Sequence, residues 1–217
     1  MGAVSRVCIV GAGGFGRETL NVYRDAGREG EVAGFVVEDR YWERDQVVNG
    51  KPVFAWSALD GWPRDTRFVV AIGSAERRRL IEELARLGFG FDTVVHPTAQ
   101  SSPWVRFGEG CIVCAGNILT AQIDVGPHTI INLACTVGHD TTIGRIVTLS
   151  PGVNVSGRVT IEDEAFIGSG AVIIERIRIG AGTVVGAGSV VTKDLPPKVV
   201  AVGVPARIIK HHAEDGR

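Results

Sequence analysis

Among 217 residues, the pairing best suited to chemistry is His139-Asp140, inside "NLACTVGHDTTIG" (132–144). An imidazole changes charge near neutral pH and can take a proton from an attacking nucleophile as a general base. A neighbouring carboxylate can fix its tautomer and stabilise the imidazolium. Adjacent strand residues face opposite ways, so the two side chains meet only if the pair lies at a corner of the chain. His128 in "GPHT" and His96 in "HPTA" read as structural residues. Cys111-x-x-Cys114 has no second pair to complete a zinc site, so no metal is expected. The four cysteines read as small buried thiols in a reducing cytoplasm.

A second pattern is Gly11, Gly13 and Gly16, a G-x-G-x-x-G between an apolar run and a helical one, with Glu38 about 20 residues on. Bare backbone at a helix N-terminus suits a phosphate group. The pattern satisfies the dinucleotide fingerprint, but the residues around it supply about three strands, half of a full dinucleotide fold. That favours a single nucleotide.

These residues need elements to position them. Over residues 1–94, strand and helix signals alternate: "RVCIV", then "RETLNVYRDAG" with Leu20 and Tyr23 on one side, then "EVAGFVV", "RFVVAIG" and the amphipathic "SAERRRLIEELARLG" with Ser74 as N-cap. "FDTVV" is a candidate last strand. The alternation implies a small Rossmann-like parallel sheet with packed helices. The Trp-rich segment 39–63 has no clear assignment.

Residues 95–217 change period. Stepping by six from Phe107 to Val191 gives fifteen positions that are all aliphatic or Phe, without insertion. Glycine follows directly at 108, 126, 138, 144, 168, 180 and 186, and reads as the residue that permits each corner. Two residues before each apolar position the side chain is mostly small or β-branched, which absorbs Cys111 and Cys135. A six-residue repeat of this regularity signals a parallel β-helix with three units, or 18 residues, per coil. Fifteen units give about five coils, roughly 24 Å tall at strand spacing. The segment after Asp194 breaks the pattern at its proline pair and reads as the cap of an otherwise exposed end.

The formal net charge of −1 points away from a nucleic-acid surface. No apolar run approaches a membrane span, and the first strand ends too soon for a signal peptide, so the expectation is a cytoplasmic protein without a membrane partner.

The hexapeptide repeat and "VGVPAR" resemble the left-handed β-helix acyltransferases. With "GAGGFGRE", "VAIGSAERR" and "VVHPTA" in front, the chain resembles the bacterial sialic-acid O-acetyltransferase and nucleotide-aminosugar N-acetyltransferase family over residues 5–210. The left hand comes from that resemblance alone, since the general rule for parallel crossovers is right-handed. The resemblance implies an acetyl-CoA co-substrate, no metal, and a homotrimer. A metal-dependent carbonic anhydrase on a similar column is excluded by spacing: no second His lies five residues from His139.

The resemblance also implies site roles. His139 and Asp140 match the catalytic pair. Gly157 matches the backbone donor to the thioester oxygen. Gly157, Ala187, Gly203 and Arg207 match contacts to acetyl-CoA, and Asn132 matches a sugar contact, although a corner Asn satisfied by backbone is an equal reading. Gly11, Gly13, Gly14, Phe15, Gly16, Arg17, Glu38, Asp39 and Gly73 match the nucleotide end of the acceptor. Phe15 and Thr148 stand where the family usually has His, and Val37-Glu38 where it has two acids. The implied reaction is acetyl transfer from acetyl-CoA to the amine of a nucleotide-linked amino-dideoxy sugar, with His139 as base. Two alternatives stay open: O-acetylation of sialic acid or a related sugar, and a non-catalytic nucleotide- or NAD-sensing module.

Overall fold

The computed structural model describes residues 6–73 and 76–211; Ser74 lies outside them. The chain divides into two compact units between His96 and Pro97. In the first unit, β1 (Val7–Val10) is flanked by β2 (Val32–Val37) and β5 (Arg67–Val70), both parallel to it. β3 (Val47–Val48) and β4 (Lys51–Ala55) extend one side and β6 (Gly90–Phe91) the other, giving the order β3-β4-β2-β1-β5-β6. Only β3 is antiparallel to its neighbour. The sheet therefore has six strands, twice the expected three. The unassigned segment supplies β3, β4 and a 3₁₀ turn at Trp56–Gly61. Its short strands lack the length and alternation that a sequence pattern needs.

The helices α1 (Gly14–Asp25) and α2 (Glu76–Arg86) bury Leu20, Tyr23, Leu80, Ile81 and Leu84. The Tyr23 hydroxyl donates to Asp92 at 2.6 Å, and Arg28 bridges Asp92 and Glu31. His96 pairs with Asp25 through Nε2 at 3.1 Å, the structural role expected of it.

The second unit is a column of three parallel sheets. Each rung pairs with the residue 18 further on: Ile112 with Ile130, Thr148, Phe166 and Val184 on the first sheet. The second sheet stacks Ile118, Thr136, Asn154, Val172 and Val190. The third stacks Arg106, Asp124, Thr142, Thr160 and Arg178. Of the fifteen apolar positions, all but Phe107 are buried. The small position two residues earlier carries a second regularity. Cys111 donates to the Gly126 carbonyl, Thr129 to Gly144, Cys135 to Ser150 and Thr141 to Ser156, each 15 residues on. Thiol and hydroxyl are interchangeable there as short interior donors. Burial pushes the Cys135 thiol up to about 11, which keeps it unreactive.

The corners differ from the expected design. The backbone adopts positive φ every six residues from Gly110 to Gly188, fourteen times, and at eight of these the residue is not glycine. Ile146 and Arg158 are among them, at φ 58° and 60°. The glycines directly after the apolar positions are needed for another reason. A Cβ on Gly126 would lie 2.5 Å from the Gly144 carbonyl carbon, and one on Gly138 would lie 2.6 Å from the Gly157 nitrogen. These glycines permit coils to stack closely, and the turn itself falls two residues later.

The top of the column is closed by Val199–Val202, parallel to Val184–Val185, and by Arg207–His211, antiparallel beyond it. Ile143 sits midway up the column and is fully buried. Ile143→Ala is expected to lower unfolding free energy by about 2–5 kcal/mol in urea titration, because neighbouring coils cannot collapse onto the lost volume.

Candidate active site

His139 and Asp140 lie on the edge between the second and third sheets, after Thr136–Val137 and before Thr142–Ile143. Asp140 is one of the left-handed corner residues, at φ 58°. That turn brings two consecutive side chains to one side, which a strand would forbid. Asp140 Oδ2 lies 2.8 Å from His139 Nδ1, and both side chains are about half exposed, at 50% and 53%. The pairing assigns the proton to Nδ1 and leaves the Nε2 lone pair free to accept one.

Nε2 is not aimed at random. A Cβ on Gly157, one coil up, would fall 2.8 Å from it, so the imidazole lies over the bare Cα of that glycine. The Gly157 carbonyl accepts from Arg176, while its N–H makes no hydrogen bond among the described residues. The Arg158 nitrogen donates to the His139 carbonyl at 2.7 Å, and its guanidinium stands 3.9 Å from Asp140. The imidazole, its carboxylate and a backbone amide without a partner among the described residues therefore gather on one edge. Gly157→Ala is expected to displace the ring and lower kcat by about 10²-fold, read by steady-state kinetics.

Asn132 and Ala187 occupy a different edge, between the first and second sheets. Asn132 Oδ1 accepts from the Leu133 nitrogen at 2.8 Å, so it caps its own corner. Gly203, at φ 103°, donates to Ser189, and Arg207 bonds the adjacent Ala206 carbonyl. One column does not bring Gly157 and Ala187 together. Thr148 is a buried outward residue of the first sheet. His128 is a buried corner residue at φ 59°. All four cysteines are free and buried. No cluster of three metal-ligating side chains occurs among the described residues.

In the first unit, the glycine loop runs from the end of β1 into α1, with Gly13 as the helix N-cap. Its glycines do different work. A Cβ on Gly16 would collide with the Gly11 carbonyl, so Gly16 holds the loop against the helix. Gly13 and Gly14 have nothing within 4 Å, and a side chain there would fill open space at the helix N-terminus. Phe15 is half-buried and Arg17 exposed in the first turn of α1. Gly73 is exposed beyond β5.

Glu38 follows β2. Arg79 donates to it at 2.6 Å and Arg40 at 2.9 Å. Partial burial opposes its ionisation, but the two guanidinium bonds outweigh that and hold its carboxyl below the ordinary range. Asp39 Oδ1 accepts from the Ser57 nitrogen, tying the segment after β4. Between the loop and Glu38 opens a cavity of about 340 Å³ at the carboxyl ends of β1 and β2. The strand order reverses about β1, and ligands bind open parallel sheets at such a switch point. Tyr41 and Gln46 also line it. Sequence reading missed both, because they come from the segment without a periodic pattern.

Comparison with known proteins bears on both units. Residues 6–84 match the PglD N-terminal domain, and residues 158–193 match the bacterial transferase hexapeptide (six repeats). The chain is 33% identical over 212 residues to GDP-perosamine N-acetyltransferase of Escherichia coli O157:H7, covering 93% of this chain and 95% of that one. Among solved structures, a histidine-to-asparagine mutant of perosamine N-acetyltransferase from Caulobacter crescentus, in complex with CoA and GDP-perosamine, is 36% identical at TM-score 0.88 over 96% of this chain and 98% of that one. The acetyltransferase domain of PglB from Neisseria gonorrhoeae is 32% identical at TM-score 0.84 over 94% and 99%. The column thus has the left-handed coil of these enzymes. The chain belongs to the hexapeptide-repeat acetyltransferases that carry a PglD-type N-terminal domain and use acetyl-CoA.

Proposed function

We propose that this acetyltransferase N-acetylates a nucleotide-linked 4-amino sugar of the perosamine type. The observation that carries the reading is the His139–Asp140–Gly157 edge, within a chain similar throughout its length to perosamine N-acetyltransferases. The amine nitrogen attacks the thioester carbonyl, the C–N bond forms and the C–S bond breaks. His139 Nε2 takes the proton from nitrogen and returns it to the departing CoA thiolate. Asp140 stabilises the imidazolium in between. The Gly157 N–H is the donor at hand for the carbonyl oxygen as charge develops. In the first unit, the α1 N-terminus takes the acceptor's diphosphate and the adjoining cavity its nucleoside.

The same reading requires more than one column. The second sheet presents Ile118, Thr136, Asn154, Val172 and Val190 outward and carries no charge. The third presents Arg106, Asp124 and Arg178, and the first has Ile112 and Ile130 already buried within one chain. The uncharged sheet, its outward side chains exposed or half-buried, is the self-association face. Its two borders are the His139/Gly157 edge and the Asn132/Ala187 edge. Threefold packing through it sets one chain's first edge against its neighbour's second, forming a groove for acetyl-CoA. Sedimentation should give about 69 kDa, three copies of the 23.1 kDa chain. Val172→Asp should shift the protein to monomer and abolish transfer; an active monomer would remove the shared groove.

The test of the activity is acetyl-CoA consumption with a panel of nucleotide-aminosugars and free sialic acid. Turnover with a nucleotide-linked amine and none with sialic acid is the expected result.

A further inference from the structure

On the edge that carries His139, the left-handed corners fall 18 residues apart, at Gln122, Asp140, Arg158 and Arg176, so each lies one coil above the last. Asp140 therefore has a cation directly over it. Arg158 Nε stands 3.9 Å from Asp140 Oδ2, the same oxygen that lies 2.8 Å from His139 Nδ1. The Arg158 backbone N–H donates to the His139 carbonyl at 2.7 Å. Gly157, the residue before it, is the glycine on which the imidazole lies. Two adjacent pairs, His139-Asp140 and Gly157-Arg158, are thus tied at three points: imidazole on glycine, amide to carbonyl, guanidinium to carboxylate. Arg176, the next corner up, faces Glu175 at 3.8 Å instead.

An ion pair this exposed contributes little to folding stability. Its consequence is orientation. Asp140 is half exposed, and a carboxylate on a solvent-facing corner has rotamers that leave the imidazole for water. The Arg158 guanidinium carries only donors, so it and the Nδ1–H converge on one oxygen and favour the rotamer that serves both. A histidine whose Nδ1 proton is held in this way keeps Nε2 as its acceptor; without that hold the proton moves between the two nitrogens. We propose that Arg158 is a positioning residue for the transfer reaction, acting through Asp140 to keep the Nε2 lone pair over Gly157. The proposal rests on His139 as the base, and it assigns Arg158 no contact with either substrate.

A double-mutant cycle separates this role from a purely structural or a substrate-binding one. Arg158→Gln should lower kcat by about 5-fold with KM for acetyl-CoA unchanged, and Arg158→Lys should recover most of the loss. In an Asp140→Asn background, Arg158→Gln should change kcat by less than about 2-fold, because the carboxylate it acts through is gone. The full effect in both backgrounds, wild-type kcat in Arg158→Gln, or a rise in KM for acetyl-CoA in place of a fall in kcat, would overturn the proposal. A second readout needs no substrate. Long-range proton–nitrogen spectra of the histidine-labelled full chain, at a pH where the ring is neutral, report which ring nitrogen carries the proton. The His139 signal is identified by its loss in His139→Ala. Wild type should show the Nδ1–H form and Arg158→Gln a mixture of the two; an unchanged spectrum would count against Arg158. Loss of the single form in a protein that acetylates no nucleotide-aminosugar would leave the hold on the imidazole standing and remove the reaction read from it.

Discussion

His139→Ala is expected to lower kcat by about 10²- to 10⁴-fold with little change in KM for acetyl-CoA. The direction follows from what each contact does. In the proposed mechanism the ring meets the reacting amine through Nε2, while Asp140 occupies Nδ1 at 2.8 Å. Removing the ring takes away the proton acceptor while the groove that binds CoA keeps its backbone. An aminosugar nitrogen is mostly an ammonium near neutral pH, and in that form it has no lone pair for attack. Loss of the base therefore falls on the chemical step. Asp140→Asn should reduce kcat by less, because the imidazole remains over Gly157 but loses the charge that stabilises its protonated form. Steady-state kinetics with saturating nucleotide-sugar separates the two variants. Wild-type turnover in His139→Ala would sink the mechanism.

Gly13→Val has the second large effect, and it acts on the other substrate. Gly13 caps α1, and a Cβ on it would meet nothing within 4 Å. A valine there costs the fold little and occupies the space that a diphosphate needs at the helix N-terminus. KM for the nucleotide-sugar should rise by about 10²-fold, the loss of one or two charge-assisted bonds, with KM for acetyl-CoA nearly constant. Gly16→Val is the contrasting substitution. Its Cβ meets the Gly11 carbonyl, so it should lower the melting temperature as well as binding. NADH binding to the wild type tests the dinucleotide reading of the loop. NADH should show no saturable binding to wild type. Micromolar NADH affinity that no sugar nucleotide displaces would assign the first unit to a dinucleotide and overturn its reading as the holder of the acceptor's nucleotide.

The dinucleotide question shows where strand counting misleads. Three strands are visible as apolar runs because β1, β2 and β5 are central and buried on both faces. The outer members β3, β4 and β6 are short or half exposed, and their sequences carry no period. The size of the sheet therefore cannot separate one nucleotide from two. What bears on it is Glu38, whose two oxygens already accept from Arg40 and Arg79.

The column was legible almost residue by residue. A solenoid repeats one local environment, so each inward position meets the same demand and the chain answers it every six residues. Val113 to Val191 are buried in the expected register, and Cys111 and Cys135 are interior donors in the same phase as Thr129 and Thr141. The glycines were visible, but their purpose was not. Whether Gly138 is there to turn or to admit Gly157 depends on a residue 19 positions away, which only stacking brings near.

The candidate site divides in the same way. By itself, the sequence determined the residue types that can do acid–base chemistry, their phase in the repeat, and the loop that can receive a phosphate. Tertiary structure decided that Asp140 turns back on His139, because the coil imposes a left-handed corner every six residues whatever the residue, an aspartate that tolerates it as much as Ile146 or Arg158. It also decided that His139 Nε2 rests over Gly157 and that Tyr41 and Gln46 line a cavity at the ends of β1 and β2. Periodicity records what each position buries against the axis of its own element. Contacts between coils and between strands far apart in sequence leave no period, and the chemistry of this chain is assembled from those.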